Sequence, residues 1–205
     1  SENLSFLNFE RFKNWRLPFS TESARQAIFS FMGDTYTGLD AGTFTNKDLL
    51  FAQDNTRILS GLYGLLRPMD IIMPYRLEMG TKLKTNRGTS LYDFWSTLIS
   101  KLLNDELVSH EKNIIINCAS LEYFKAVNMR TLKAEVVTPV FKEIRNGKPR
   151  IISFFAKRAR GAMARYIITN QINDIDGIIS FDMDNYAYNE SLSSRYEPVF
   201  TRYSA

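Results

Sequence analysis

Two strand-like runs, Ala134-Glu-Val-Val-Thr-Pro-Val-Phe-Lys142 and Arg150-Ile-Ile-Ser-Phe-Phe-Ala156, flank the dipeptide Asn146-Gly147, and the second leads into Lys157-Arg-Ala-Arg-Gly-Ala-Met-Ala-Arg-Tyr166. This stretch decides the fold. Asn-Gly between two such runs predicts a type I′ hairpin, because both central residues must take positive φ. The residues after Ala156 are helix formers with cations among them. A hairpin joined to strand–helix units predicts an α+β fold with a mixed sheet and flanking helices.

Outward from there, Asn113–Asn117 has the pattern of a buried strand, and Ser120 is placed to cap a helix from Leu121 to Val127. Gly177–Met183, Tyr186–Tyr188 and Pro198–Tyr203 predict a closing antiparallel set. Towards the start, Glu22–Met32 predicts a helix capped by Thr21, with Ala24, Ala27, Ile28 and Phe31 on one face. Thr45 or Asn46 caps a second helix, Lys47–Asn55. Arg57–Ser60 reads as a short strand, and Tyr92–Leu103 as one amphipathic helix. No repeat or Pro/Gly-rich linker interrupts the chain, so residues 1–205 are expected to form a single domain. The chain opens on Ser1 rather than Met, and an N-terminal piece of the natural protein is expected to precede it.

Composition narrows the function classes. Hydrophobic residues make up 44% of the 205, enough for a substantial core. Apolar runs are only a few residues long, which predicts no membrane span. A single cysteine, Cys118, rules out an internal disulfide. With His110 as the one histidine, no Cys/His metal cluster is expected, and no cofactor. The balance of acids and bases suits the cytoplasm.

Net charge is +4, but it is not spread evenly. From Lys142 to Arg165 there are eight cations and one anion, Glu143, giving +7 and leaving the rest of the chain at −3. Local positive charge is the footprint of a site for phosphates or another polyanion. On a helix, Lys157, Arg158, Arg160 and Arg165 fall within an arc of roughly 160°. Gly161 and Ala164 lie inside that arc, where small residues let a phosphate approach. They equally let a neighbouring element pack, and both readings stand at this point.

Ser60-Gly61-Leu62-Tyr63-Gly64 has the apolar-Gly-apolar-x-Gly look of a helix-hairpin-helix hairpin, whose backbone N–H groups hold a DNA phosphate, with Arg67 close by. Pro68 argues against a second helix there, and an ordinary strand-to-turn glycine pair is the alternative. The segment Pro74–Thr81 brings Arg76 and Glu78 into a loop. Asn117, at a strand end, either binds an anion or caps the backbone. No nucleophile elbow or phosphate-binding Gly-Lys-Ser/Thr loop is present.

Several strings together resemble the YaaA peroxide-stress proteins. They are Leu59-Ser-Gly-Leu-Tyr-Gly-Leu-Leu-Arg-Pro68, Pro74-Tyr-Arg-Leu-Glu-Met-Gly-Thr81, Leu91-Tyr-Asp-Phe-Trp95, Glu122-Tyr-Phe-Lys-Ala-Val127 and Ile152-Ser-Phe-Phe-Ala-Lys-Arg-Ala-Arg-Gly161. The resemblance runs from about Ala27 to Arg202. It implies a mixed α/β fold with helix-hairpin-helix character, affinity for double-stranded DNA, and a role in limiting damage from peroxide and iron. The hairpin maps onto Ser60–Gly64 with Arg67, and the basic face onto Lys157, Arg158, Arg160, Gly161 and Arg165. The family's opening strand, ending in Pro-Ala-Lys, is absent from this sequence.

The leading expectation is a cytoplasmic stress protein contacting the DNA backbone, with no membrane partner and no structural metal. The rival is an enzyme acting on a small phosphorylated or nucleotide-like ligand in a pocket of Tyr63, Arg67, Arg76, Glu78, Asn117 and Lys157. A protein-interaction scaffold is the third class. An open basic surface favours DNA, whereas a deep pocket joining Arg76, Glu78 and Lys157 favours the enzyme.

Overall fold

A computed structural model describes residues 2–20 and 22–203. In chain order the elements are α1 (Glu2–Lys13), β1 (Arg25–Gln26), α2 (Ala27–Ser30), α3 (Asp34–Leu39), α4 (Asn46–Asn55), β2 (Ile58–Ser60), β3 (Gly64–Leu66) and β4 (Ile71–Ile72). Then follow α5 (Leu91–Trp95), α6 (Leu98–Leu107), β5 (Ile114–Ile116), α7 (Leu121–Phe124), β6 (Glu135–Val137), β7 (Val140–Arg145) and β8 (Lys148–Arg150). The chain closes with α8 (Ser153–Thr169), α9 (Ile175–Ile179), β9 (Ala187–Tyr188) and β10 (Val199–Tyr203). The fold is α+β, as its strand and helix patterns predict.

The main sheet has the order β8-β7-β10-β9. It is mixed: β10 runs parallel to β7, with Phe200 opposite Phe141, and antiparallel to β9. Asn146 (φ 50°) and Gly147 (φ 72°) make the predicted left-handed turn between β7 and β8. β5 and β6 form a separate parallel pair, and β2 and β3 an antiparallel hairpin. One face of the main sheet is closed by α8 and α9 through Phe141, Met163, Ile178, Phe181 and Phe200, all essentially buried. Edge-to-face rings, such as Phe141 against Tyr186 at 5.3 Å, fill that layer.

Several expected elements shift. The helix predicted over Glu22–Met32 is only Ala27–Ser30, because Arg25 and Gln26 pair with β4 instead. Thr21, its expected cap, lies outside the described residues. Thr45 does cap α4, in a reciprocal capping box with Asp48. Tyr92–Leu103 is broken at Ser96 (φ 44°) into α5 and α6. The strand expected over Ala134–Lys142 is split into β6 and β7 around Thr138-Pro139, where proline lacks the donor a ladder needs. Arg150–Ala156 does not remain extended, since α8 already starts at Ser153. Gly177–Met183 is not a strand: Asp174 accepts from the backbone N–H of Gly177 and caps α9 there.

Candidate nucleic-acid interface

Helix α8 does not present its four cations to one open surface. Lys157 and Arg158 are exposed, and Arg158 Nε lies 3.7 Å from the Asp184 carboxylate. Arg160 turns inward: Nη1 donates to the carbonyl of Ala119 at 3.1 Å, and its buried Nε has no hydrogen-bond partner. Burial lowers the pKa of this guanidinium. Arg165 Nη1 reaches across to the end of α3, donating to Asp40 O at 3.0 Å and to Thr43 Oγ1 at 2.7 Å.

Gly161 is covered. A Cβ built there would sit 1.8 Å from the carbonyl oxygen of Thr35, and one on Gly38 would sit 2.0 Å from that of Arg158. The glycines let α3 and α8 approach backbone to backbone, which is the packing alternative for this helix. The phosphate-approach reading of Gly161 is corrected accordingly.

The Ser60–Gly64 segment is a β-hairpin turn between β2 and β3, not the hairpin of two helices. After β3 the chain runs through Arg67-Pro68 to β4, so no second helix follows. Gly61 and Gly64 are already occupied by the protein itself. A Cβ on Gly61 would fall 2.3 Å from the Leu77 carbonyl, and one on Gly64 (φ 76°) would fall 2.6 Å from the Trp95 ring. Trp95 Nε1 donates to the carbonyl of Gly61 at 3.0 Å. Arg67 is bound to Glu106 at 2.7 Å, and Arg57 shares that carboxylate. Burial pushes the Glu106 carboxyl up, but hydrogen bonds from both guanidiniums outweigh it and hold its pKa below the ordinary value.

The residues of the alternative ligand pocket fall in two places. Arg76 Nε and Glu78 form a half-exposed pair at 3.7 Å, and Glu78 accepts from the Tyr123 hydroxyl at 2.8 Å. The Tyr63 hydroxyl accepts from Trp15 Nε1 at 3.1 Å. Its ring meets that of Tyr75, whose hydroxyl is 2.6 Å from Ser60 Oγ and whose pKa is pushed up to about 12 by burial. Asn117 caps its own turn, accepting from the Ala119 N–H at 3.0 Å. It lines a cavity of about 730 Å³ together with Arg67, a cavity that Tyr63, Arg76, Glu78 and Lys157 do not line. Cys118 lines it too, with its thiol pushed up to about 12 by burial.

The open basic surface lies one element earlier than the α8 arc. Register places Arg150 opposite Glu143 and Lys148 opposite Arg145, so strand alternation puts all four on one face of the β7–β8 ribbon. Arg145 and Lys148 are exposed at its outer end, and Arg150 is exposed opposite Glu143. At the inner end Glu143, 1% exposed, accepts from Arg202 Nε at 2.8 Å and from the Tyr186 hydroxyl at 2.5 Å. Arg202 lies over the Phe155 and Tyr186 rings and donates to the Asp184 carbonyl. Asp184 in turn pairs with Arg158. The basic track therefore runs from the ribbon tip past Arg202 to the first turns of α8. Its signals in the sequence are the Asn146-Gly147 turn and the charge window from Lys142 to Arg165. Among the described residues no group of three or more His, Cys, Asp or Glu side chains is placed to hold a metal ion. No helix among them is long and apolar enough to cross a membrane.

Residues 1–192 match the family described as peroxide stress protein YaaA. A UPF0246 protein of Shewanella sp. strain W3-18-1 is 53% identical over 98% of this chain and 79% of its own length. A UPF0246 protein of Saccharophagus degradans is 52% identical, and one of Aliivibrio fischeri strain ES114 is 50% identical, with similar coverage. The chain belongs to the YaaA peroxide stress protein family.

Proposed function

We propose that this member of the peroxide-stress family acts in the bacterial cytoplasm by holding duplex DNA. The contact surface is the β7–β8 ribbon with the start of α8: Arg145, Lys148, Arg150, Lys157 and Arg158. One observation carries the reading, the alignment of exposed cations on a single ribbon face while the chain's other +7-window arginines, Arg160 and Arg165, serve the fold. Such a ribbon reads charge rather than base sequence, because its long cations reach phosphates without entering a shaped pocket. Protection from peroxide then follows from occupancy of the duplex.

The test is binding to a fluorescent duplex across a salt series. Five phosphate contacts give a slope of log K against log salt of about −4.5, and Lys148→Ala with Arg150→Ala flattens it by about 1.8. A flat salt response, or a slope unchanged in the double variant, removes this function.

A further inference from the structure

Oxidisable rings from distant parts of the chain meet in one line. Trp15, just after α1, donates its Nε1–H to the Tyr63 hydroxyl at 3.1 Å. Tyr63, in the β2–β3 turn, meets Tyr75 edge to face with ring centroids 5.3 Å apart. The Tyr75 hydroxyl interacts electrostatically with that of Tyr123 in α7 and with the Glu78 carboxylate. Tyr123 ends the line, donating to Glu78 Oε2 at 2.8 Å. All four rings are half-buried. Phenylalanine would fill the same volume; what Trp and Tyr add is a polar tip and an electron that can be withdrawn.

A Trp or Tyr that loses an electron becomes a strong acid, so the vacancy comes to rest where a base takes the proton. Trp15 and Tyr75 hydrogen-bond to neutral hydroxyls, those of Tyr63 and Ser60. Tyr63 meets main-chain groups of Met73. Tyr123 alone of the four donates to a carboxylate, one within reach to accept the proton as the electron leaves. Burial first, and then the bond to Glu78, raises the Tyr123 pKa, so the resting phenol keeps its proton. Glu78 is half-exposed, which opens this end of the line to solvent. Tyr186 makes the same kind of bond to Glu143, but it is buried and its ring contact is with Phe141, so it lies off the line. Met73 and Met79, both buried, lie beside these rings, and their oxidation would put a polar sulfoxide into the core.

We propose that this line is a hole-transfer chain, carrying one-electron oxidising equivalents from Trp15 through Tyr63 and Tyr75 to Tyr123, where Glu78 takes the proton and the radical is held for a reductant. A hydroxyl radical formed from peroxide gains one electron from Trp15 and one proton from solvent, and leaves as water. The missing electron is replaced in turn from Tyr63, Tyr75 and Tyr123. At Tyr123 the O–H bond breaks and its proton passes to Glu78. A thiol then returns the electron, shedding its own proton to water and becoming a thiyl radical, and Glu78 gives the proton back. This activity stands apart from duplex binding and uses none of the ribbon cations.

The experiment loads the oxidant at one end. A ruthenium tris-bipyridyl label is attached at Arg16→Cys, beside Trp15, in a chain carrying Cys118→Ala. It is flashed with an irreversible electron acceptor and a nitroso spin trap, and mass spectrometry maps the trapped radical. The adduct is expected on Tyr123. Tyr75→Phe should remove it and leave adducts on Trp15 and Tyr63. Glu78→Gln, which still accepts the hydrogen bond but cannot take the proton, should hold the radical upstream of Tyr123 with the melt unchanged. Adducts that stop short of Tyr123 in the parent overturn the proposal, as does a Tyr123 adduct that survives Tyr75→Phe. A Tyr123 adduct unaltered by Glu78→Gln overturns the role of Glu78. If Tyr75→Phe fails to fold, Tyr63→Phe cuts the line one step earlier; loss of the Tyr123 adduct then supports the chain and its persistence opposes it. None of these readouts involves DNA, so failure here leaves the ribbon reading standing.

Discussion

Gly161 rests against the carbonyl oxygen of Thr35 so closely that a Cβ would lie 1.8 Å from it. The contact fixes α3 along α8, and through Arg165 it also fixes the loop that begins at Asp40. Gly161→Ala must push the two backbones apart, an overpacking penalty of about 3 kcal/mol. For a chain of this size the melting temperature should fall by roughly 6–12 °C. Calorimetry of the variant checks it, and an unchanged melt would mean that α3 is not held there.

Glu143 is a second structural lock. It is buried between Arg202 and the Tyr186 hydroxyl, whose own pKa is raised by burial first and by the hydrogen bond to Glu143 second. Glu143→Ala leaves the Arg202 charge without its carboxylate in a largely buried place, which costs about 3–5 kcal/mol. Urea melts should show a lower midpoint with an unchanged slope. Restoring the shape with Gln should recover only part of the loss, because the charge remains uncompensated.

Stability should fall on acidification, with Glu106 among the causes. Its folded pKa is depressed, so its contribution is full above the unfolded carboxylate pKa of about 4.3 and is lost as pH falls through the folded value. Glu106→Gln should therefore be less stable than the parent at pH 7. The gap between them should close as pH drops below the ordinary carboxylate range. A gap independent of pH would show that Arg57 and Arg67 do not favour the charged form.

What could be read from the sequence followed locality. The Asn146-Gly147 turn, the Thr45 and Ser120 caps and the β5 strand are set by a few adjacent residues, and each is found where expected. The partners of α8 are not local. Arg160 meets Ala119, forty-one residues away, and Arg165 meets Thr43, more than a hundred away. A helical wheel shows which cations share an arc but not which carbonyls lie beneath them. The same limit explains Gly61 and Gly64. Their spacing resembles a phosphate-holding hairpin, and only Leu77 and Trp95, distant in sequence, reveal that the space is taken.

The last prediction separates charge at the surface from charge in the fold. Arg150 and Arg160 carry the same formal charge and lie ten residues apart. Arg150 is exposed on the ribbon, whereas Arg160 is half-buried and holds the turn carbonyl of Ala119 before α7. Arg150→Ala should leave the unfolding free energy within about 0.5 kcal/mol of the parent's, as surface substitutions do. It should reduce the salt slope of duplex binding by about 0.9. Arg160→Ala should do the opposite. It removes a hydrogen bond to a carbonyl, costing about 1–3 kcal/mol in thermal or urea melts, while the slope measured on its folded fraction stays unaltered. If the α8 arc is the DNA surface instead, the two variants exchange behaviours, with Arg160→Ala flattening the slope and Arg150→Ala leaving it untouched. Measuring slope and melt on both proteins decides between the ribbon and the arc.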